Sequence, residues 1–79
     1  MYDVYVLKSL INGRFYIGCT NNLARRLYEH NNGLSTYTKS TRPFKLVYQE
    51  EFSTLKFARR REKQLKGGQG RQWLKNKLN

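Results

Sequence analysis

An α+β fold, with a small three-stranded and mostly antiparallel sheet flanked by helices in the order β-β-α-β-α-α, is what this sequence predicts. Three observations carry that expectation. Near the start, two segments rich in β-branched and aromatic residues flank Asn12-Gly13, a strong hairpin-turn signal. A third such segment, Lys45–Phe52, stands in mid-chain. Stretches with apolar residues at helical spacing, introduced by Ser, Thr or Asn, fill the remainder. Helices packed against the sheet make this an α+β sandwich of the smallest useful size.

Taken in order, Tyr2–Ser9 reads as the first strand, Leu10–Gly13 as the turn, and Arg14–Cys19 as the returning partner. Thr20-Asn21-Asn22 supplies N-cap candidates for a helix running to about His30, because a side-chain oxygen there accepts from a free backbone N–H. Asn31-Asn32-Gly33 stops it. Leu34–Pro43, full of Ser and Thr, reads as a polar loop, and Lys45–Phe52 as the third strand. Ser53 or Thr54 caps a second helix extending to about Lys66. Gly67-Gly68-Gln69-Gly70 breaks the chain, and Arg71–Leu78 forms a short terminal helix.

At 79 residues, a single domain spanning 1–79 is expected, near the lower limit for one core without staples. Aromatic rings, 14% of the chain against 38% apolar overall, supply much of the burial such a core needs. No run approaches membrane-spanning length, and no apolar leader with a cleavage site opens the chain. Cys19 is alone, which excludes an internal disulfide and a Cys/His zinc cluster. A cytoplasmic setting without a membrane partner is expected on these grounds. Charge points to the partner: sixteen Lys and Arg face five Asp and Glu, a net +11. Self-repulsion of that size usually reflects a polyanionic ligand. The basic residues interleave with Tyr, Phe and Trp, a mixture suited to phosphates and exposed bases, so nucleic acid is the expected partner. A ribosomal-type basic protein would share this composition, which leaves catalysis open.

Loop parity decides whether the hairpin tyrosines meet. An even-numbered loop around Asn12-Gly13 pairs odd positions of the first strand with even positions of the second, and places Tyr5, Leu7, Tyr16 and Gly18 on one face. Two half-buried sheet tyrosines are the ordinary reading of that pair. Gly18 favours a functional one, since a glycine inside a strand often marks close approach of a ligand or another backbone.

On a wheel at 100° per residue, Leu23, Ala24, Leu27 and Tyr28 form the buried arc of the first helix, and Arg25 and Glu29 point away. Arg26 and His30 stack one turn apart at the arc's edge, between core and solvent. Arg offers a rigid fork for phosphate oxygens, and His can move a proton near neutrality. Snorkelling of Arg26 and a helix C-terminal role for His30 are the plainer alternatives.

Glu62 is the most informative side chain. Leu55, Ala58 and Leu65 define the apolar stripe of the second helix, and Glu62 falls within it. A carboxylate facing a core costs several kcal/mol unless paired or bound to a cation. Either a buried ion pair, with Arg26 for example, or a metal ligand satisfies it. With five acidic residues in all, and Asp3, Glu29, Glu50 and Glu51 expected elsewhere, a two-metal site is disfavoured. One carboxylate suffices for one Mg²⁺ or Mn²⁺ whose other positions are water and substrate phosphate.

Together Tyr5, Tyr16-Ile17-Gly18, Arg26, His30 and Glu62 resemble the GIY-YIG nuclease domain, which occurs in phage homing endonucleases, in the incising subunit of bacterial excision repair and in small stand-alone bacterial proteins. The first motif stands here as Asp3-Val4-Tyr5, keeping its tyrosine, and Tyr16-Ile17-Gly18 matches the second. Asn22-Leu23-Ala24-Arg25-Arg26-Leu27 followed by His30 resembles the family's helix with its catalytic Arg and following His. Arg61-Glu62-Lys63-Gln64-Leu65-Lys66 resembles the segment with its single metal-binding Glu. The similarity covers essentially the whole chain. It is best to the stand-alone branch, related to the N-terminal domain of the excision-repair subunit, through Tyr37-Thr38-Lys39 and Pro43-Phe44-Lys45-Leu46-Val47-Tyr48. A late Asn often joins the family's site; Asn76 and Asn79 are the candidates here.

The resemblance implies a metal-dependent endonuclease that hydrolyses phosphodiester bonds, DNA favoured over RNA, with DNA repair as a setting. Glu62 would hold one Mg²⁺ or Mn²⁺, and Arg26 would neutralise charge on the phosphate. Tyr5 would take a proton from the attacking water, with Tyr16 positioning it and His30 bonding one of the two. Lys39, Arg42, Arg59, Arg60, Arg71 and Lys75 are candidates for nucleic-acid backbone contacts, against a solvated surface as the default for each. A protein partner is left open. The rival reading is a catalytically silent nucleic-acid-binding module, which composition serves equally and retention of every ionisable candidate disfavours.

Overall fold

β1 (Tyr2–Ser9) lies between β2 (Phe15–Thr20) and β3 (Phe44–Phe52) and pairs antiparallel with both, so that β2 is an edge strand. Around this open sheet the computed structural model, which describes residues 1–78, places α1 (Leu23–Asn31), α2 (Leu55–Lys66) and α3 (Gly68–Leu78). The order is the β-β-α-β-α-α of the sequence reading. The hairpin closes through Leu10–Gly13, with the Ser9 N–H donating to the Arg14 carbonyl and the Gly13 N–H to the Ser9 carbonyl, each at 2.9 Å. That even-numbered loop sets Tyr5 opposite Gly18 and Leu7 opposite Tyr16, which puts the tyrosines on one face.

Alternation along β1 then builds two cores. Val4 and Val6, with Ile17, pack against Ala58, Leu65 and Leu74 of α2 and α3. Tyr5 and Leu7, with Phe44, pack against Leu23 and Leu27 of α1. The sheet is therefore a middle layer, with α1 on one side and the other two helices opposite. Asn31 ties the end of α1 to the start of β3: its Oδ1 accepts from the Phe44 N–H at 2.6 Å and its Nδ2 donates to the Phe44 carbonyl at 3.3 Å. This clamp accounts for β3 beginning one residue before the expected Lys45.

Three expectations about the helices need correction. Asn22 does cap α1, accepting from the Arg25 N–H at 3.1 Å, but Ala24 is exposed and Tyr28 is 62% exposed, not buried. Leu23, Leu27 and His30 form the inward stripe instead, with Arg26 and Glu29 half-buried beside it and His30 fully buried. The Tyr5 hydroxyl on the facing sheet and the Thr38 hydroxyl give the imidazole its partners, so the helix turns its histidine inward. On α2, which Thr54 caps through Phe57 N–H at 3.3 Å, Ala58 and Leu65 are buried but Leu55 is 38% exposed. Glu62 thus lies at the margin of the stripe. Finally, α3 starts at Gly68 and not at Arg71. A Cβ on Gly70 would overlap the Gln64 carbonyl and the Leu65 backbone, so this glycine lets α3 touch α2. Only Gly67 interrupts the helices.

α3 is held on the sheet by a polar and aromatic stitch. Arg61 bonds Glu50 of β3 at 2.9 Å and lies 5.0 Å from the centre of the Trp73 ring, which meets Tyr48 edge-on. Burial raises the Glu50 carboxyl, but hydrogen bonds from Arg61 and Tyr48 outweigh it and hold the group below its ordinary range.

Candidate active site

The α1 side of the sheet contains a buried hydrogen-bonded line. The Tyr5 hydroxyl lies 3.1 Å from Nε2 of His30, and Nδ1 of His30 lies 2.7 Å from Oγ1 of Thr38. All three side chains are buried, and among the described residues no buried side-chain nitrogen or oxygen lacks a partner. Tyr16 stands edge-on to the His30 ring at 4.8 Å between centres, and 6.4 Å from Tyr5. Gly18 makes room for this packing, because a Cβ there would overlap the Tyr5 hydroxyl. The glycine expected to mark close approach does so, and what approaches first is Tyr5 itself.

Electrostatics around the line are uneven. Burial pushes the Tyr5 phenol up to about 12, against the pull of the Arg26 guanidinium. Arg26, bonded to Glu29 at 3.0 Å, is raised by that bond first and by Tyr5 as well. The buried ion pair considered for Glu62 is therefore not with Arg26. His30 is held below its ordinary value, by burial first and then by Arg26, so the ring is neutral at neutral pH. Arg26 is half-buried and His30 lies wholly inside, so the expected pair at the rim is really a rim cation above a core histidine.

Glu62 approaches from the α2 side. Its charge raises Cys19, after burial, and is the smallest of the influences that raise Tyr5. Glu62 bonds Lys66 at 2.8 Å, with side-chain exposures of 18% and 49% respectively. A pair with so exposed a lysine is weakly held. Among the described residues no three His, Cys, Asp or Glu side chains cluster as metal ligands. The donor set fits a single Mg²⁺ or Mn²⁺: one accessible carboxylate, with water and phosphate oxygens for the other positions.

The six expected backbone-contact residues do not form one surface. Lys39 is exposed on the 3-10 turn Lys39–Thr41, and Arg42 donates to its carbonyl at 3.4 Å with its guanidinium folded over Gly33. Arg59 is exposed on α2, the helix that carries Glu62. Arg60 covers the Phe57 ring at 5.5 Å. Arg71 and Lys75 line a groove with Lys8 and Arg14. Asn76 is exposed and accepts from Gln72 at 3.2 Å, bonding no site residue, and Asn79 lies outside the described residues.

Thr38 is the functional candidate that residue-by-residue reading passed over. It belongs to a segment read as a polar loop, yet Ser35 and Thr38 are buried there. Ser9 holds the segment down, donating to the Thr41 carbonyl at 2.6 Å while accepting from the N–H groups of Ile11 and Asn12. A cleft between this segment and the hairpin is lined by Tyr16, Tyr37, Thr38 and Phe44 among others. The signal available was the Tyr37-Thr38-Lys39 resemblance, which carried no role.

Comparison with known proteins adds an independent line. The sequence matches the profile of the GIY-YIG catalytic domain over residues 1–79. It is similar to a UPF0213 protein of Staphylococcus haemolyticus, 44% identical over 73 residues that cover 91% of this chain and 88% of that one. A UPF0213 protein of Clostridium perfringens is 43% identical over 67 residues, 84% of this chain and 71% of its own length. Among solved structures, the solution NMR structure of a UPF0213 protein from Bacillus halodurans aligns with a TM-score of 0.58 at 30% identity, covering 96% of this chain and 84% of that one.

Proposed function

Because this chain belongs to the GIY-YIG nuclease family, we propose that it is a divalent-metal-dependent endonuclease hydrolysing phosphodiester bonds in nucleic acid, DNA in preference to RNA. The single observation that carries this reading is the buried line Thr38–His30–Tyr5, which ends where the charges of Arg26 and Glu62 are both felt. A merely structural tyrosine has no need of a neutral histidine at its hydroxyl and a guanidinium acting on it.

A phenol raised to about 12 is a poor base on its own at neutral pH. The line supplies the remedy. With the Nδ1–H of His30 donated to Thr38 Oγ1, the Nε2 lone pair faces the Tyr5 hydroxyl. As water attacks phosphorus, Tyr5 takes the water's proton on its oxygen while its own proton passes to Nε2. The new P–O bond forms, the bond to the leaving oxygen breaks, and that oxygen is protonated from solvent. A free phenolate, which burial disfavours, never has to persist. Arg26, steadied by Glu29, neutralises a non-bridging phosphate oxygen. Tyr16, edge-on to His30, orients the water. Glu62 would hold the cation, which when bound supplies positive charge to the phosphate and the leaving oxygen. A placement of this activity in DNA repair, inside the cytoplasm, belongs to the same proposal. On the membrane the structure says only that, among the described residues, no helix is long and apolar enough to cross one.

The test is a panel of DNA and RNA structures incubated with Mg²⁺, Mn²⁺ or chelator, comparing the native chain with Glu62→Gln. Metal-dependent cutting by the native chain and none by the variant is expected. Tight binding by both with no cutting under any condition would leave the silent binding module as the correct reading.

A further inference from the structure

Lys8, Gly13, Arg14, Phe15, Arg71 and Lys75 line a groove between α3 and the start of β2. Four cations and no carboxylate meet there. Among the described residues none of the four has a salt-bridge partner, whereas Arg26, Arg61 and Lys66 are each paired with a glutamate. Like charges gathered in one concavity repel one another, and a polyanion relieves that repulsion. Arg71 is preorganised, because its Nε donates to the Lys66 carbonyl at 3.0 Å and leaves its terminal nitrogens for a ligand. Lys75 follows one helical turn later, on the same side. Phe15 adds a flat apolar wall, suited to a sugar or base.

The groove's place on the fold gives it meaning. Arg14 precedes and Phe15 opens the edge strand whose middle carries Gly18, with Phe15 on the α2 and α3 side of the sheet and Gly18 on the α1 side. From Phe15 to Gly18 the strand covers about 10 Å at about 3.3 Å per residue. We propose that this groove is a subsite for the sugar-phosphate backbone, holding the strand that is cut within a few nucleotides of the scissile bond. The relation to a cut rests on the proposed nuclease activity; the groove as a backbone site does not. Lys8 and Arg14 join Arg71 and Lys75 in this role, and the strand runs along the β2 edge toward Glu62 and Arg59.

The experiment measures binding of the full chain to a fluorescent duplex and a fluorescent single strand by anisotropy across salt concentrations, with chelator present. Arg14→Gln combined with Lys75→Gln is compared with Lys56→Gln combined with Lys63→Gln, which removes the same charge from exposed positions of α2. The groove pair should lower the log–log salt slope by about 0.7–0.9 per cation lost and weaken binding about ten-fold, and the α2 pair by much less. Lys75→Gln alone, at an exposed helix position, should give about half the slope change. Equal losses from the two pairs, or none from the groove pair, overturn the proposal. A second arm places single uncharged methylphosphonate linkages at successive positions around the cut site. The native chain should lose affinity at a linkage within a few nucleotides of the cut but outside it, and the groove pair should not. If the native chain does not cut, the first arm still decides the groove. If it cuts and the sensitive linkage lies elsewhere, the placement is wrong.

Discussion

β1 sends Val4 and Val6 to one side of the sheet and Tyr5 and Leu7 to the other, and all four are buried. The two sides are nevertheless built differently. Against α2 and α3 the contacts are apolar, through Ile17, Ala58, Leu65 and Leu74. Beneath α1 the buried volume includes a phenol, an imidazole and a threonine hydroxyl, joined end to end. The apolar side needs only shape and volume, and its losses are felt as stability. The polar side needs each donor to meet its acceptor, and its losses are felt first as chemistry. Strand alternation lets a chain near the minimum domain size assign the two tasks to opposite faces of one strand.

Substitutions on the two sides should therefore part company. The largest separation is expected at Tyr5→Phe: cleavage falls about 10²–10⁴-fold in single-turnover assays. Melting should show a loss of no more than about 1–3 kcal/mol, from leaving His30 Nε2 unpaired. Leu65→Ala, on the other side, should lower unfolding free energy by about 2–5 kcal/mol in denaturant titrations, while the fraction still folded cuts at the native rate. A Leu65→Ala protein that is fully folded and inactive would break the division of labour.

Thr38→Val tests the far end of the line. About a ten-fold loss of rate is expected, the scale of one hydrogen bond of about 0.5–1.5 kcal/mol, with Thr38→Ser restoring most of it. A rate insensitive to both changes would leave His30 free of any tautomer control. Acid gives a gentler probe. His30 is held below 6.5 in the folded chain, so the unfolded chain takes up a proton that the folded one refuses. Stability is complete above about 6.5 and falls as pH drops through the lowered value, which urea titrations between pH 8 and 5 should register. Tyr5 acts at the other end: raised to about 12, its contribution is intact below 10.0 and is lost as pH climbs toward 12. The smallest effect is expected at Lys66→Gln, under about 1 kcal/mol of stability, since its partner pair is half open to solvent.

What could be read from residues alone follows the range of the forces involved. Tyr5 and Tyr16 sharing a face was legible because an Asn-Gly turn sets strand parity within a few residues. The caps were legible to within a few residues for the same reason: Asn22 stood among the candidates Thr20-Asn21-Asn22, and Thr54 was one of two with Ser53. The orientation of α1 was not, because a hydrophobicity wheel scores His30 as polar and cannot see the phenol that satisfies it. Thr38 was hidden likewise: a Ser- and Thr-rich segment reads as solvated until Ser9 and His30 supply buried partners across the fold. Gly70 looked like a chain break because its function, contact with the backbone of α2, is visible only when two helices touch. Glu62 was singled out for lying in an apolar stripe; it lies at the stripe's margin instead, where Cys19 and Tyr5 feel its charge.

The account stands or falls on one cation at Glu62 lying beside the tyrosines across the β2 edge. Titrating Mn²⁺ into isotopically labelled protein would test this by paramagnetic broadening of NMR signals, without any need for turnover. Resonances of Gly18, Cys19 and the Tyr5 ring should broaden first, those of Leu74 and Trp73 should persist, and Glu62→Gln should abolish the pattern. Broadening centred elsewhere, or unchanged in Glu62→Gln, would contradict it.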